Sequence, residues 1–354
     1  MTIDVVKVLL PSILTFVIGI GITPILTKYF YQYKMWKKNP RISADNPEGV
    51  SAEFAKHHNT AQEISTPRVG GVIIWIAVLI TTLFVYLLSV LFPSDILSKF
   101  NFLSRNQTVV PLVAFIFAAL IGLTDDFIHI FSKGIFAKDG IGYRKVKIWS
   151  LILVGFLVSL WFYFKLGKTI IHIPFDGNFD LGIWFIPFFI ITMLATFSTS
   201  VIDGMDGLAG GIMASIFTSY SVIAFFHNQI DIASFCAVIA GGILAFLWFN
   251  IPPARFYMGE TGIMALTVVL CVVAFLTNTV LFLPIIALPL VVTSASVIIQ
   301  IQVYKRFNKK RVFRVAPLHH HFEALGWSRE KIVMRYWIIG IVCALLGAVL
   351  AIVG

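Results

Sequence analysis

Charged residues are scarce in this chain of 354 residues: Asp, Glu, Lys and Arg make up 12% of it, whereas 58% of the residues are hydrophobic. Soluble domains carry about 25% charged residues. So few charges cannot cover the surface of a water-soluble domain, which excludes an ordinary globular protein, a disordered chain and a collagen-like repeat. The composition indicates a protein that lies in a membrane.

Cysteine is also nearly absent, with three residues at positions 236, 271 and 343. Each lies within an apolar segment, and no C-x-x-C pair occurs. This spacing excludes the disulfide framework of a small secreted protein. We interpret the three cysteines as small buried hydrophobic side chains.

Long polar segments are missing too, and ten apolar segments dominate the chain. A helix needs about 20 mostly apolar residues to cross a bilayer. The predicted spans are 8–26, 69–92, 109–123, 148–164, 181–201, 207–226, 232–249, 262–276, 280–303 and 332–353. The helices near Asp125 and Glu260 are expected to continue beyond these apolar runs as polar ends. We therefore expect an all-α polytopic membrane protein, with residues 1–354 as one domain.

The first apolar segment is expected to stay in the protein, because it contains Pro11 and Pro24 and a basic segment follows it instead of a cleavage site. Of the 27 Lys and Arg residues, 21 lie in odd-numbered loops and four in even-numbered loops. Basic residues collect in cytoplasmic loops. This predicts that both termini are extracytoplasmic, and it explains the net charge of +10 without nucleic acid.

Four groups of ionisable residues also fall in the odd-numbered loops. Ionisable groups at membrane depth are costly and usually face a partner or a cavity. We therefore predict one site, assembled from separate loops at the cytoplasmic face. Its candidate residues are Asp125, Asp126, Asp203, Asp206, Glu260, His319, His320 and His321.

The acids favour a magnesium site. Adjacent Asp125 and Asp126 repel each other unless a cation neutralises them, although a solvated helix end is the alternative. Mg²⁺ binds one or two carboxylates together with phosphates and water. Asp203 and Asp206 stand among glycines that let the backbone approach a phosphate. Asp206 is alternatively a helix cap, so Asp203 is the better ligand candidate. The remaining EF-hand ligands are missing, which excludes Ca²⁺.

Glu260 lies between glycines at the start of the eighth span, where the helix dipole alone also favours an acid. Nearby Tyr257 is a candidate for stacking on a base, or else a residue of the interfacial aromatic belt. Lys133, Lys138 and Lys147 follow the aspartate pair. One of these lysines is expected to reach a substrate phosphate, and the spacing does not decide which.

Three consecutive histidines, His319 to His321, form the most specific stretch. A zinc site would need a cysteine or a spaced histidine pair, and neither accompanies them. Arg311 and Arg314 lie close by, so the segment favours recognition of a phosphate or pyrophosphate. At least one of the histidines is expected to be purely structural.

These motifs carry a family resemblance. The chain resembles the phospho-N-acetylmuramoyl-pentapeptide transferases (MraY, translocase I), within the polyprenyl-phosphate N-acetylhexosamine-1-phosphate transferase superfamily. The matching stretches are Gly122-Leu-Thr-Asp-Asp126, Asp203-Gly-Met-Asp-Gly-Leu-Ala209, Trp248-Phe-Asn250 with Pro253-Ala254, Met258-Gly259 with Gly262, and Ala316-Pro-Leu-His-His-His-Phe-Glu323 with Gly326-Trp327. They cover nearly the whole chain, and the histidine motif separates this branch from its relatives.

The resemblance implies an enzyme that transfers phospho-MurNAc-pentapeptide from its UDP carrier to undecaprenyl phosphate, giving lipid I and UMP. It implies a bacterial cytoplasmic (inner) membrane location, Mg²⁺ as cofactor and a homodimer. The implied catalytic residues are Asp125, Asp126, Asp203, His319 and His320. Glu260 and Asp126 are the implied metal ligands. The implied substrate contacts are Asn250, Tyr257, Gln300, His321 and Lys147.

The chain departs from the family pattern at several positions. Glu260 and Ser200 stand where the family has Asp and Asn, Glu63 stands where it has Lys, and Thr66-Pro-Arg-Val-Gly-Gly71 replaces Thr-Pro-Thr-Met-Gly-Gly. The extra methylene of Glu moves a carboxylate by about 1 Å, which is enough to affect rate. Three alternatives stay open: a GlcNAc-1-phosphate transferase of the same superfamily, a secondary transporter and an inactive scaffold. The triple histidine argues against the first, and the lack of an internal repeat argues against the second.

Overall fold

A computed structural model describes residues 2–36, 64–92, 99–104, 107–131, 140–307 and 310–354. Within these ranges, ten helices are long and apolar enough to cross a membrane. The helices are α1 (Thr2–Gln32), α2 (Val72–Leu91), α3 (Val109–Phe131), α4 (Gly140–Trp161), α5 (Phe185–Ser198), α6 (Leu208–Phe226), α7 (Ile230–Asn250), α8 (Gly259–Leu276), α9 (Leu283–Ile286), α10 (Leu288–Arg306), α11 (Leu318–Ala324) and α12 (Arg329–Val353). The short α9 and α11 are not among the ten spans.

The remaining regular structure lies at the ends of the spans. A turn of π-helix (Phe162–Leu166) extends α4, and 3₁₀ turns flank α5 at Gly182–Trp184 and Thr199–Ile202. Between α4 and α5, strands β1 (Ile170–Ile173) and β2 (Gly177–Asp180) form an antiparallel hairpin in which Ile170 pairs with Asp180.

Two expectations about helix ends are confirmed. Helix α3 runs through Asp125 and Asp126 to Phe131, and α8 already begins at Gly259. The prediction of one continuous span over 280–303 is wrong. The chain instead forms α9, breaks at Ala287 and starts again as α10.

The two prolines of this region explain the break between α9 and α10. Pro284 and Pro289 each lie in the first turn of their helix. A proline has no backbone N–H and is tolerated in the first turn of a helix but not in its interior. The chain therefore restarts the helix before Pro289 instead of continuing through it.

Helix α8 lies at the centre of the bundle. All of its residues except Glu260 are buried, which is possible because the helix is apolar on every side. Its main neighbour is α3, and α7 packs between α1 and α6 in the same way. Apolar side chains on the outer faces of α1, α4 and α12 are exposed, as lipid-facing residues are.

Close packing at the start of α8 depends on glycine. A Cβ atom on Gly122 of α3 would overlap the backbone carbonyl of Glu260, and a Cβ on Gly71 would overlap the backbone of Gly262. Because hydrogen is the only side chain that fits these gaps, α3 and the segment before α2 both approach the first turn of α8. The fold thus fixes the position of Glu260 from two sides.

Candidate functional site

The end of α3 holds the first turn of α8 through Asp126. Its Oδ1 accepts a hydrogen bond from the backbone N–H of Glu260 at 3.2 Å, and its Oδ2 accepts one from Thr261 at 2.9 Å. These two N–H groups lie at a helix N-terminus, where they have no partner inside the helix. The buried Asp126 therefore acts as a cap supplied by a neighbouring helix.

The Thr66–Gly71 segment supports the loop just before this first turn of α8. The backbone N–H of Tyr257 donates to the carbonyl of Pro67 at 2.8 Å, and that of Gly70 donates to the carbonyl of Tyr257 at 2.9 Å. The next pair, from Gly71 to Met258, is 2.8 Å long. The Thr66–Gly71 motif and the loop before α8 are thus joined as one unit.

Lys147 of α4 links two of the predicted acids. Its Nζ lies 3.1 Å from Asp125 Oδ2 and 3.1 Å from Glu260 Oε1, and 5.6 Å from the ring centroid of Phe197. His129 Nε2 lies 3.5 Å from Asp125 Oδ1. Of the three lysines that the sequence offered, Lys147 is thus the one that contacts these acids. Lys133 and Lys138 lie outside the described residues.

Among the described residues, no hydrogen-bond partner is found for two buried carboxylate oxygens of this group, Asp125 Oδ1 and Glu260 Oε2. Buried polar atoms are nearly always hydrogen-bonded, so each such atom needs an explanation. Across the described ranges, no three His, Cys, Asp or Glu side chains form a ready-made metal cluster. Two carboxylates nevertheless fit Mg²⁺, which completes its octahedron with water and phosphate oxygens.

A cavity of about 740 Å³ opens at Glu260, whereas Asp125, Asp126 and Lys147 are not among the residues that line it. It collects residues from separate parts of the chain, as the sequence predicted for an assembled site. The predicted residues that line it are Asp203, Glu260, Gln300, His319 and His320. Basic residues lie around them, namely Arg68, Lys305, Arg311 and Arg314. Such a lining is suited to an anionic ligand.

The histidine motif forms most of α11 and lies against the Asp203 turn. His319 is fully buried, and neither of its ring nitrogens has a hydrogen-bond partner in the part of the chain that the structure describes. Burial, together with the charge of His320, holds the pKa of His319 well below the usual value. His319 is therefore a neutral ring at physiological pH. A Cβ on Gly204 would lie 2.5 Å from His319 Nε2, so only glycine lets the turn approach this ring.

His320 and His321 have different partners. His320 Nδ1 lies 2.9 Å from Glu323 Oε2, and Arg329 Nε donates to Glu323 Oε1 at 2.7 Å. His321 Nδ1 instead accepts the backbone N–H of Arg314 at 3.2 Å, and burial and the Arg314 charge lower its pKa. His321 is not among the residues that line the cavity, so its role as a substrate contact stays a prediction.

Gln300 lines the cavity but its amide is already engaged. Its Oε1 accepts the backbone N–H groups of Val312 and Phe313, both at 3.0 Å, and its Nε2 donates to the carbonyl of Phe313 at 3.1 Å. Gln300 therefore anchors the segment that carries Arg311 and Arg314. This is a structural role that the sequence did not reveal.

Two predicted substrate contacts lie away from the cavity lining. The side chain of Asn250 accepts the backbone N–H of Gly207 at 2.9 Å and donates to the carbonyl of Phe256 at 2.8 Å. Tyr257 is half-buried and makes the backbone bonds described above. The alternative that the sequence left open for Asp206, a cap of α6, is not what the structure shows. The N-cap of α6 is Gly207, whereas Asp206 Oδ2 accepts the backbone N–H of Ala254 at 3.2 Å.

Sequence reasoning missed four residues. Arg68 and Ser200 line the cavity, and both stand where the chain departs from the family pattern. That departure was the available signal. Glu323 contacts His320, and Arg329 donates to Glu323. The only signal for Glu323 was its place in the matching Ala316–Glu323 stretch.

An apolar groove of about 400 Å³ lies between α5 and α10. It is lined by side chains such as Phe188, Ile191 and Ile298, and it reaches Ser198 and Thr199. The next residue along the chain, Ser200, lines the polar cavity. The membrane-embedded groove and the cavity are therefore neighbours at the end of α5.

Comparison with known proteins identifies the family. Residues 108–278 match the family described as glycosyl transferase family 4. The phospho-N-acetylmuramoyl-pentapeptide-transferase of Chloroflexus aurantiacus is 31% identical over 99% of this chain and 91% of its own length. Those of Geobacillus thermodenitrificans and Listeria monocytogenes are 36% and 34% identical, over 85% and 84% of this chain and 87% of their own lengths. The chain therefore belongs to the phospho-N-acetylmuramoyl-pentapeptide-transferase family.

Proposed function

We propose that this protein transfers phospho-MurNAc-pentapeptide from UDP-MurNAc-pentapeptide to undecaprenyl phosphate, releasing UMP and forming lipid I. The observation that carries the proposal is the cavity that joins Asp203, Glu260, His319 and His320 to a ring of basic side chains. A donor that contains a diphosphate has the charge that this lining favours.

The reaction is a displacement at the sugar-linked phosphorus. An oxygen of the lipid phosphate forms a bond to this phosphorus, and the bond from the phosphorus to the bridging oxygen of UMP breaks. The lipid phosphate is already anionic at neutral pH, so it needs little deprotonation. Asp125 orients the acceptor phosphate or takes its residual proton.

Asp125 and Glu260 are the residues that would hold Mg²⁺, since each has a buried oxygen with no hydrogen-bond partner among the described residues. The sequence named Glu260 and Asp126 instead. Both oxygens of Asp126 accept backbone N–H groups, which favours Asp125 as the second ligand. When bound, the cation offsets the negative charge that develops on departing UMP.

Lys147, His320 and the arginines bind and neutralise phosphate oxygens in this proposal. Lys147 Nζ lies within reach of both proposed ligands, at 3.1 Å from each, so it compensates their charge before substrate binds. Arg311 and Arg314 extend the positive lining along the segment that Gln300 anchors. Charge that is preorganised in this way stabilises a phosphoryl-transfer transition state.

The groove between α5 and α10 is suited to the polyprenyl chain of the acceptor. Its lining is almost entirely apolar, and one end lies at Ser198 and Thr199, next to the polar cavity. A lipid in the groove would place its phosphate beside Ser200. The excess of basic residues in the odd-numbered loops supports a site at the cytoplasmic face of a bacterial inner membrane, with both termini extracytoplasmic. The homodimer implied by the resemblance stays a prediction.

A donor assay tests the proposed function. Purified protein with UDP-MurNAc-pentapeptide, a polyprenyl phosphate and Mg²⁺ should release UMP, and the variant Asp125→Asn should release almost none. A parallel reaction with UDP-GlcNAc separates the sibling transferase. UMP release with UDP-GlcNAc but not with UDP-MurNAc-pentapeptide would overturn the assigned donor. Release with neither donor would overturn the transferase activity and leave only the transporter or the scaffold.

A further inference from the structure

The turn that carries Asp203 is held in place from outside the cavity. Asp203 and Gly204 line the cavity, and the turn ends at Gly207, the N-cap of α6. Gly207 has a φ of 78°, which lies in the left-handed region that favours glycine. Because glycine restricts the backbone least, the conformation of this turn depends on contacts from neighbouring elements.

Side chains from two other helices hold the backbone of Gly207. Its N–H donates to Oδ1 of Asn250, the last residue of α7, at 2.9 Å. Its carbonyl accepts the indole N–H of Trp337, in α12, at 3.1 Å. The same carbonyl accepts the backbone N–H of Gly211 at 3.1 Å, and a carbonyl oxygen has lone pairs for both bonds. Trp337 therefore joins α12 to the point where the turn becomes a helix.

Glycine at position 211 makes this contact possible. A Cβ atom on Gly211 would overlap the indole ring of Trp337. Hydrogen is therefore the only side chain at this position that lets the ring reach the carbonyl of Gly207. Trp337 itself is not among the residues that line the cavity. Any effect of Trp337 on the reaction must therefore pass through the turn.

Helix α12 supports the histidine motif as well. Arg329, in its first turn, donates to Glu323 Oε1 of α11 at 2.7 Å. The Asp203 turn and α11 in turn contact each other directly, because a Cβ on Gly204 would lie 2.5 Å from His319 Nε2. A shift of the backbone at Gly207 would therefore move the turn relative to a buried ring of the same site.

We propose that Trp337 is a positioning residue for the transfer reaction: its indole N–H fixes the carbonyl of Gly207 and thereby holds Asp203 at its place in the cavity. This inference rests on the proposed function, in which Asp203 belongs to the lining around the donor diphosphate. A misplacement of about 1 Å can cost about 100-fold in rate, even when the substitution lies away from the reacting atoms.

Trp337→Phe tests the hydrogen bond by kinetics. Phenylalanine keeps an aromatic ring but has no donor, so the carbonyl of Gly207 loses its contact with α12. We expect kcat for UMP release to fall about 10- to 100-fold, with KM for UDP-MurNAc-pentapeptide changed less than about threefold. Wild-type kcat in this variant would overturn the proposal. Trp184→Phe is the matched control, because Trp184 is exposed at the start of α5, whereas the cavity lies beyond the end of that helix. Its turnover should stay at the wild-type level.

A second replacement separates the hydrogen bond from the packing of the ring. Benzothienylalanine at position 337 has sulfur in place of the indole N–H, so it fills nearly the same space without a donor. We expect the same loss of kcat as in Trp337→Phe. Wild-type turnover with this side chain would show that Trp337 only fills space, which would overturn the proposal.

Amide hydrogen exchange in nanodiscs tests the inference without turnover. The amides of residues 203–208 should exchange about fivefold faster in Trp337→Phe, since one hydrogen bond that stabilises the closed turn is lost. The amides at the start of α8 should exchange at the wild-type rate. Unchanged exchange in the turn would overturn the inference. Because this measurement needs no substrate, it separates failure of the inference from failure of the proposed transferase activity.

Discussion

Adjacent Asp125 and Asp126 should fail in opposite ways when each is replaced by asparagine. Both are buried, but Asp126 binds the backbone of α8. Asp125 binds Lys147, and its Oδ1 has no hydrogen-bond partner in the described part of the chain, although His129 lies 3.5 Å from it. We expect Asp126→Asn to lower stability and Asp125→Asn to lower turnover at nearly unchanged stability.

The magnitude follows from the two hydrogen bonds. The carboxylate of Asp126 accepts from the N–H of Glu260 at 3.2 Å and from that of Thr261 at 2.9 Å. In Asp126→Asn the amide oxygen can still accept one of these bonds, whereas the NH₂ group faces the other N–H. One bond is lost and one buried N–H loses its partner, which costs about 1–3 kcal/mol. Asp126→Ala leaves both N–H groups without a partner and should cost roughly twice as much.

Asp125→Asn is the matched control for stability. Its amide oxygen still accepts from Lys147, so the free energy of unfolding should change by less than about 1 kcal/mol. Its UMP release should fall by about 100-fold or more, because a charged oxygen leaves the proposed phosphate and metal site.

Thermal unfolding in nanodiscs and the UMP assay on the same preparations measure the two effects. The cap argument fails if Asp126→Asn unfolds at the wild-type temperature, or if Asp125→Asn is destabilised as much as Asp126→Asn. A third outcome is equally informative: a stable Asp126→Asn protein with an altered Mg²⁺ requirement would return Asp126 to the metal ligands.

Three further predictions concern α8, the metal and pH. Gly122→Val forces a side chain against the backbone of Glu260 and should lower stability by about 1–3 kcal/mol, whereas Gly21→Ala, which meets no atom within 4 Å, should change the unfolding temperature little. Excess EDTA should abolish UMP release, and Glu260→Gln should raise the Mg²⁺ concentration for half-maximal release by about tenfold; full turnover in EDTA would contradict this. Because burial lowers the pKa of His319, the unfolded chain takes up a proton below about pH 6.5 that the folded protein does not. The free energy of unfolding should therefore fall by up to about 1.4 kcal/mol per unit as the pH is lowered further. His319→Gln should remove this contribution to the pH dependence of stability.

Much of the fold followed from the sequence because a membrane span has one strong signature. Ten apolar segments predicted the ten long helices, and the polar ends of α3 and α8 were expected. The break at Ala287 was missed because hydropathy does not register two prolines that each start a helix. The break could have been predicted only from the positions of these two prolines, not from the apolar composition of the segment.

The sequence named acids and histidines for the candidate site, but it could not predict the contacts that these residues make. Spacing could not select Lys147, because its partners Asp125 and Glu260 are 22 and 113 residues away and meet it only through helix packing. The resemblance implied that Asn250 contacts substrate, which stays a prediction, and the structure shows that its amide joins two backbone segments. A motif gives the residue type that a family keeps, and it does not tell whether that residue binds substrate or the protein itself.

The charges around Lys147 explain why this site is suited to a divalent cation in particular. Asp125 and Glu260 bring two carboxylates to one ammonium group, and within the described ranges a second oxygen of each is buried without a hydrogen-bond partner. A single lysine cannot satisfy both carboxylates, and buried charge that is not compensated is strongly unfavourable. A divalent cation has the charge to compensate both carboxylates, and it leaves Lys147 available for a substrate phosphate. Replacing Lys147 with Met should therefore raise the Mg²⁺ dependence of folding stability, whereas a lysine that only fills space would leave that dependence unchanged.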